Sequence, residues 1–227
     1  MHNAYSMTYK NQIDGDVEKH EEFLDCIMED MRLERELHYI HKYIKGPDVL
    51  DFPVGTGRIT ERLCEEYKMS GFDIGPLYVQ KAKEKFARKG GAFEEHSFEN
   101  CNSDLRFDTI ICLRTLQSID AVETAFQTFA RLLKPGGRVI FNLPPNNPHT
   151  VHIEEMMGKA GLKKVACESY DFYAAWRYKL LPAWGMKLFQ YYRAIVERGF
   201  VPHVLLLAIE LAFQRLGTRL YCYEKVT

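Results

Sequence analysis

Six cysteines are spread through the 227 residues (Cys26, Cys64, Cys101, Cys112, Cys167 and Cys222), and none forms a C-x-x-C pair. Zinc-finger and thioredoxin-like readings therefore lose their main signal. The chain also lacks an excess of either charge: 30 Lys and Arg against 31 Asp and Glu leave a net charge of −1. That balance does not suit a protein built mainly to coat nucleic acid. Long apolar runs are missing as well. The most apolar stretch, Val201 to Phe213, is broken by Pro202, His203 and Glu210, and falls short of the ~20 residues that a spanning helix needs. The first residues, MHNAYSMTYKNQIDGD, contain no apolar h-region. With the cysteines so widely spaced, the expectation is reduced thiols in a cytoplasmic protein. No internal repeat or low-complexity tract is visible.

What is present is ordinary globular material, 46% apolar and 27% charged, of a length that fits one domain with an elaboration. Residues 17–45 carry helical spacing (Leu24, Ile27, Met28, Met31, then Leu37, Ile40, Ile44) and stop at Gly46-Pro47. Short apolar runs then alternate with helical ones. Strands are expected at 48–52, 69–74, 92–96, 107–113, 138–143, 164–170 and 219–226, and helices at 59–67, 77–89, 122–133 and 152–160. Lys134-Pro-Gly-Gly137 reads as a helix stop followed by a turn. This rhythm predicts an α/β fold, a doubly wound and mainly parallel sheet. Residues 174–216 interrupt it with a helical, aromatic and apolar stretch before the last strand. Charge is uneven along the chain: residues 1–46 are net −4 and residues 174–227 net +5.

In an open sheet of this kind, ligands bind beyond the carboxyl ends of the strands. The first strand-to-helix turn reads Val49-Leu-Asp51-Phe-Pro53-Val-Gly55-Thr-Gly57-Arg. Glycines there permit a sharp turn and a close backbone approach. A P-loop would need Gly-Lys-Ser/Thr after the turn, which is absent. A dinucleotide site would prefer a small third position, here Thr60, and would not want Asp51 aimed at a pyrophosphate. S-adenosylmethionine is cationic at sulfur and at its amino group and has no phosphate, so an acid at the first strand end favours it. Asp73, 22 residues on and at the end of the second strand, is placed to accept from ribose hydroxyls. It supports any nucleoside ligand; Asp51 chooses between them.

These motifs resemble those of class I S-adenosylmethionine-dependent methyltransferases of the small-molecule type. VLDFPVGTGR is similar to the family's first motif, GFDIGPLYVQKAKEKF to the second-strand acid and its helix, FDTIICLRTLQSI to the fourth-strand motif, and RLLKPGGRVIFNLP to the entry into the fifth strand. RLYCYEKV is similar to the final strand, which in that family inserts antiparallel. The resemblance covers about residues 45–145. It implies a seven-stranded Rossmann-like sheet forming a single domain over 1–227, with an N-terminal helical lid (1–46), a cofactor-binding core (47–173), a helical insertion or substrate cap (174–217) and the last strand (218–227). It departs from the family pattern at Pro53, which stands for the first glycine; at Ser97, where an acid often contacts adenine; and at Gln117-Ser118, where a His is frequent.

The implied activity is transfer of a methyl group from S-adenosylmethionine to an O, N, S or C nucleophile of a small molecule, apolar or anionic, releasing S-adenosylhomocysteine. The implied cofactor residues are Asp51, Phe52, Pro53, Gly55, Gly57, Asp73, Ile74, Ser97, Phe98, Cys112, Leu113 and Arg114. Acceptor-side candidates are Tyr9, Gln117, Asn146, Trp176 and Trp184. His149 and His152 follow the fifth strand and are the candidate proton acceptors, since an imidazole titrates near neutral pH; loop or helix-start roles compete with that. No metal and no nucleic acid is expected. The aromatic, basic insertion leaves peripheral membrane contact open, and the oligomeric state is not given. Two alternatives are a non-catalytic cofactor-binding regulator or scaffold, and a nicotinamide oxidoreductase, which Asp51 disfavours.

Overall fold

The computed structural model describes residues 27–144, 147–171 and 218–226. In chain order these form α1 (Ile27–Tyr43), β1 (Asp48–Asp51), α2 (Arg58–Leu63), β2 (Lys68–Asp73), α3 (Pro76–Phe86), β3 (Phe93–Glu95), β4 (Phe107–Cys112), α4 (Val122–Leu132), β5 (Leu133–Leu143), α5 (Ile153–Lys159), β6 (Leu162–Asp171) and β7 (Thr218–Lys225). The seven strands make one sheet in the order β3-β2-β1-β4-β5-β7-β6. Neighbours from β3 to β5 pair in parallel, and β7 runs antiparallel between β5 and β6. The expected α/β sheet with an antiparallel last strand is therefore what the chain forms. The expected insertion, residues 174–217, lies outside the described residues.

Apolar side chains on both faces of the strands explain why the sheet is covered on both sides. Val49, Ile111 and Ile140 join one cluster with Leu33, Leu37 and Ile40 of α1 and Ile59 and Leu63 of α2. Their neighbours Leu50, Ile110 and Val139 point the other way, into a cluster with Val122, Phe126 and Phe129 of α4 and Ile153 and Met157 of α5. In α4, Val122, Ala125, Phe126 and Phe129 recur at helical spacing and are all buried.

One expected boundary is corrected. Lys134-Pro-Gly-Gly137 does not separate α4 from β5, because the strand begins at Leu133. Leu133 pairs with Phe107, pairing resumes at Arg138 opposite Thr109, and the intervening residues bulge out, with Gly136 at φ 70°. Polar pairs fasten this lower end of the sheet. Lys134 bridges Asp48 at 2.7 Å and Asp108 at 2.9 Å, and Glu224 accepts from Lys45 and Arg138, each at 2.9 Å.

Phe126 is fully buried, with its ring 5.3 Å from that of Phe141 and 6.4 Å from that of Phe129. Phe126→Ala should cost about 3–5 kcal/mol and lower the melting temperature by roughly 10 °C. Thermal unfolding followed by circular dichroism checks this.

Candidate functional site

The carboxyl ends of β1, β2 and β4 lie side by side, with Asp51 opposite Gly71 on one neighbour and Ile111 on the other. Between β1 and α2 runs the turn Phe52–Gly57, whose Phe52–Pro53 bond is cis. The turn is fixed at several points. Phe52 N–H donates to the Ile111 carbonyl at 2.9 Å, Val54 N–H to the Phe72 carbonyl at 2.8 Å, and Gly57 N–H to the Val54 carbonyl at 2.9 Å. Gly55 and Gly57 have φ of 51° and 79°, the left-handed region that L side chains avoid. At Gly57 space also forbids a side chain, since a Cβ would sit 2.6 Å from the Phe86 ring. At Gly55 a Cβ would meet nothing within 4 Å, so that stretch of backbone is open to close approach.

Both acids are buried, each 3% exposed, and they are satisfied differently. Asp73 accepts from Gly55 N–H at 2.9 Å through Oδ2 and from Gly75 N–H at 2.8 Å through Oδ1. Its carboxylate thus ties the first turn to the second. Asp51 accepts from the Thr60 hydroxyl at 2.9 Å. Burial dominates at Asp51 and, against the Thr60 hydrogen bonds, pushes its carboxyl up to about 8; the nearby Asp73 charge acts in the same direction. The third position of the glycine turn, a departure from the dinucleotide pattern, thus has its own task as the partner of Asp51.

The other expected cofactor residues fall around this pair in differing ways. Pro53 and Ile74 flank the turns, half-buried. The side chains of Phe52 and Phe98 belong to the core, their rings 4.5 Å apart, so what they bring to the strand ends is backbone. Ser97 Oγ accepts from Asn100 N–H at 3.1 Å. Cys112 is fully buried, and burial followed by the Asp51 charge pushes its thiol well above the usual range, which suits a packed side chain and not a nucleophile. Leu113 is half-buried against the core. The guanidinium of Arg114 grips Glu36 through two bonds, at 3.1 and 2.6 Å.

On the acceptor side, the amide of Gln117 donates to the Arg114 carbonyl. His149 sits in a short 3₁₀ turn, where its N–H donates to Asn147 Oδ1 at 2.9 Å. The His152 side chain is 69% exposed beside Glu155, so the structure does not bring it to the acids. Tyr9, Asn146, Trp176 and Trp184 lie outside the described residues.

A profile of the family described as "Methyltransferase domain" matches residues 49–137, the segment that holds the glycine turn and both acids. Residues 49–137 are thus similar to a methyltransferase domain, as the motifs led one to expect. Two relatives agree. A ubiquinone biosynthesis O-methyltransferase of Nitrosospira multiformis is 27% identical over 113 residues, 48% of this chain and 47% of the relative. A demethylmenaquinone methyltransferase of Tropheryma whipplei (strain Twist) is 31% identical over 101 residues, 42% of this chain and 41% of the relative. The match thus spans a little under half the length of these two relatives. The fold is shared with the N-methyltransferase NodS of Bradyrhizobium japonicum, solved with S-adenosyl-L-homocysteine, at TM-score 0.59 and 12% identity over 88% of this chain and 89% of that one.

The residues at these strand ends fit S-adenosylmethionine, the cofactor that the motif resemblance implies. The acid that burial keeps protonated near neutral pH lies at the first strand end, where a cationic ligand would draw its proton off. A second, backbone-anchored acid stands at the next strand end, and both flank an open glycine. The raised carboxyl fixes the sign of a pH effect. Near neutral pH the folded protein holds a proton on Asp51 that the unfolded chain, at 3.8, has released. This contribution to stability is therefore full below about pH 4 and fades as pH rises toward about 8. Asp51→Asn should lose less stability than the parent between about pH 4 and 8, as read by melting temperature. Binding of S-adenosylmethionine near neutral pH should release up to about one proton in the parent and less in Asp51→Asn, which calorimetry in buffers of different ionisation enthalpy resolves.

Proposed function

We propose that the chain catalyses methyl transfer from S-adenosylmethionine to a nucleophilic atom of a small-molecule acceptor. The observation that carries this reading is the pair of buried acids, Asp51 and Asp73, on either side of an open glycine turn. When bound, the cofactor supplies an electrophilic sulfonium methyl and leaves as S-adenosylhomocysteine. Asp73 would accept from the ribose hydroxyls, held in place by its two backbone N–H donors. A carboxylate oxygen accepts more than one donor, so anchoring and ligand binding are compatible. Asp51 would face the cationic methionine portion. Gly55 would let the backbone lie against it, and Cys112 to Arg114 would line it with main chain. The protein's part is then orientation and exclusion of water, and no side chain is assigned as a proton acceptor.

For the acceptor, the two relatives named above point toward small ring compounds of the quinone-precursor kind. The expected N-terminal lid and aromatic cap over 174–217 belong to the same reading. So does a cytoplasmic location: among the described residues the cysteines are free, and no helix is long and apolar enough to cross a membrane.

Calorimetric titration with S-adenosylmethionine and S-adenosylhomocysteine, with NAD as control, tests the cofactor. Binding of both adenosyl ligands in the micromolar range is expected. Asp73→Ala should weaken it about 100-fold or more, a loss of the order of 3 kcal/mol. NAD binding alone would overturn the reading. Production of S-adenosylhomocysteine across a panel of hydroxylated aromatic and amine acceptors then tests the reaction.

A further inference from the structure

The buried polar cluster around Glu36 has no part in the fold's apolar packing or in the acid pair. Glu36 sits on the face of α1 that also carries Leu33, Leu37 and Ile40, all packed against the sheet, and it is 1% exposed. A glutamate on such a face is costly unless every oxygen is partnered. Here Oε1 accepts from Arg114 Nε at 3.1 Å, from the Tyr170 hydroxyl at 2.7 Å and from Asn142 Nδ2 at 3.3 Å. It also faces Arg32 Nε at 3.4 Å, while Oε2 accepts from Arg114 at 2.6 Å. Burial would raise this carboxyl, but the two guanidiniums and the hydrogen bonds hold it low, so Glu36 stays ionised. An ionised, fully engaged carboxylate does not take up a substrate proton; it holds things together.

What it holds is informative. Among the described residues, Arg114 is the one non-glycine residue with positive φ, at 61°, a conformation disfavoured for an L residue. It is gripped from both sides: its N–H donates to Asn142 Oδ1 at 2.6 Å, and its guanidinium pairs with Glu36. Arg114 lies two residues beyond the end of β4, in direct continuation of the Cys112–Leu113 backbone beside Asp51. Strain kept in place by surrounding contacts is characteristic of functional sites.

We propose that Glu36 is a positioning residue that, through Arg114, locks the backbone after β4 in the conformation that receives the cofactor. The N-terminal helix thereby becomes part of the cofactor site without touching the cofactor. This rests on the reading of the β1, β2 and β4 ends as that site.

The test titrates S-adenosylhomocysteine into the full chain and into Glu36→Gln, Arg114→Ala and Arg114→Gly, with melting temperatures recorded for each. Glu36→Gln should weaken binding about tenfold, and Arg114→Ala at least as much. Arg114→Gly should bind roughly fivefold or more tighter than Arg114→Ala, because glycine adopts positive φ without a latch. A cluster that serves stability alone would lower melting temperatures and leave the dissociation constants equal, which overturns the proposal. If Glu36→Gln does not fold, the glycine–alanine contrast decides, since Glu36 keeps Arg32, Asn142 and Tyr170 in both. Failure of the parent to bind would remove the cofactor reading and this inference together. Equal binding by parent and variants removes only the latter.

Discussion

Two carboxylates at the ends of adjacent parallel strands set the problem that the rest of this site solves. β1 and β2 pair in register from Asp48 opposite Lys68 to Asp51 opposite Gly71, so Asp51 and Asp73 end their strands as neighbours, each almost wholly buried. Two buried like charges at close quarters are unfavourable, and a protein has few remedies: hydrogen-bond the charge, neutralise it or pair it. Asp73 takes the first, through the N–H groups of Gly55 and Gly75. Asp51 takes the second, with one hydroxyl donor from Thr60 and a carboxyl raised to about 8. The third remedy is left to a ligand. On the proposed reading, a cation at Asp51 would compensate the cost of burying that charge.

The same arrangement explains the turn. The N–H of Gly55 must point at Asp73, and the backbone must reverse into α2 within six residues. Left-handed φ at Gly55 and Gly57 does both. Pro53 donates no N–H, and the turn does not need one there, since its ties run through Phe52, Val54, Gly55 and Gly57.

Much of this half of the site was legible in the sequence because it is local. Strand, glycine turn and helix follow one another within about twenty residues, so the spacing of Asp51, Gly55, Gly57 and Asp73 is itself the signal. Element types followed from apolar periodicity for the same reason. What the sequence leaves out has a common cause, contacts made across the fold. Phe52 and Phe98 sit at motif positions, but the sequence does not say that their rings turn inward and pack 4.5 Å apart. Lys134-Pro-Gly-Gly137 has the composition of a turn and instead bulges within a strand, because pairing with β4 begins one residue earlier, at Leu133. Arg114 stands in the fourth-strand motif with no sign of what its guanidinium meets, because that partner is 78 residues away.

The Glu36 cluster is the clearest case of what sequence order conceals. Its hydrogen bonds join residues 28, 78, 106 and 134 positions apart, and no window contains them. Two faint traces did exist. Glu36 interrupts the apolar face of α1 between Leu33 and Ile40, and Asn142 interrupts the apolar run Val139–Leu143 of β5. A polar residue where periodicity calls for an apolar one must find a partner across the fold, and these two find the same one. The cluster is also set apart along the chain. The methyltransferase-domain match runs from 49 to 137; it takes in Asp51, Asp73 and Arg114 but excludes Glu36, Asn142 and Tyr170. The shared segment therefore supplies the acids and the strained residue, while the groups that hold that residue in place come from the flanking elements α1, β5 and β6. Those flanks pack around the β4 end, so elements outside the matched segment act on backbone inside it.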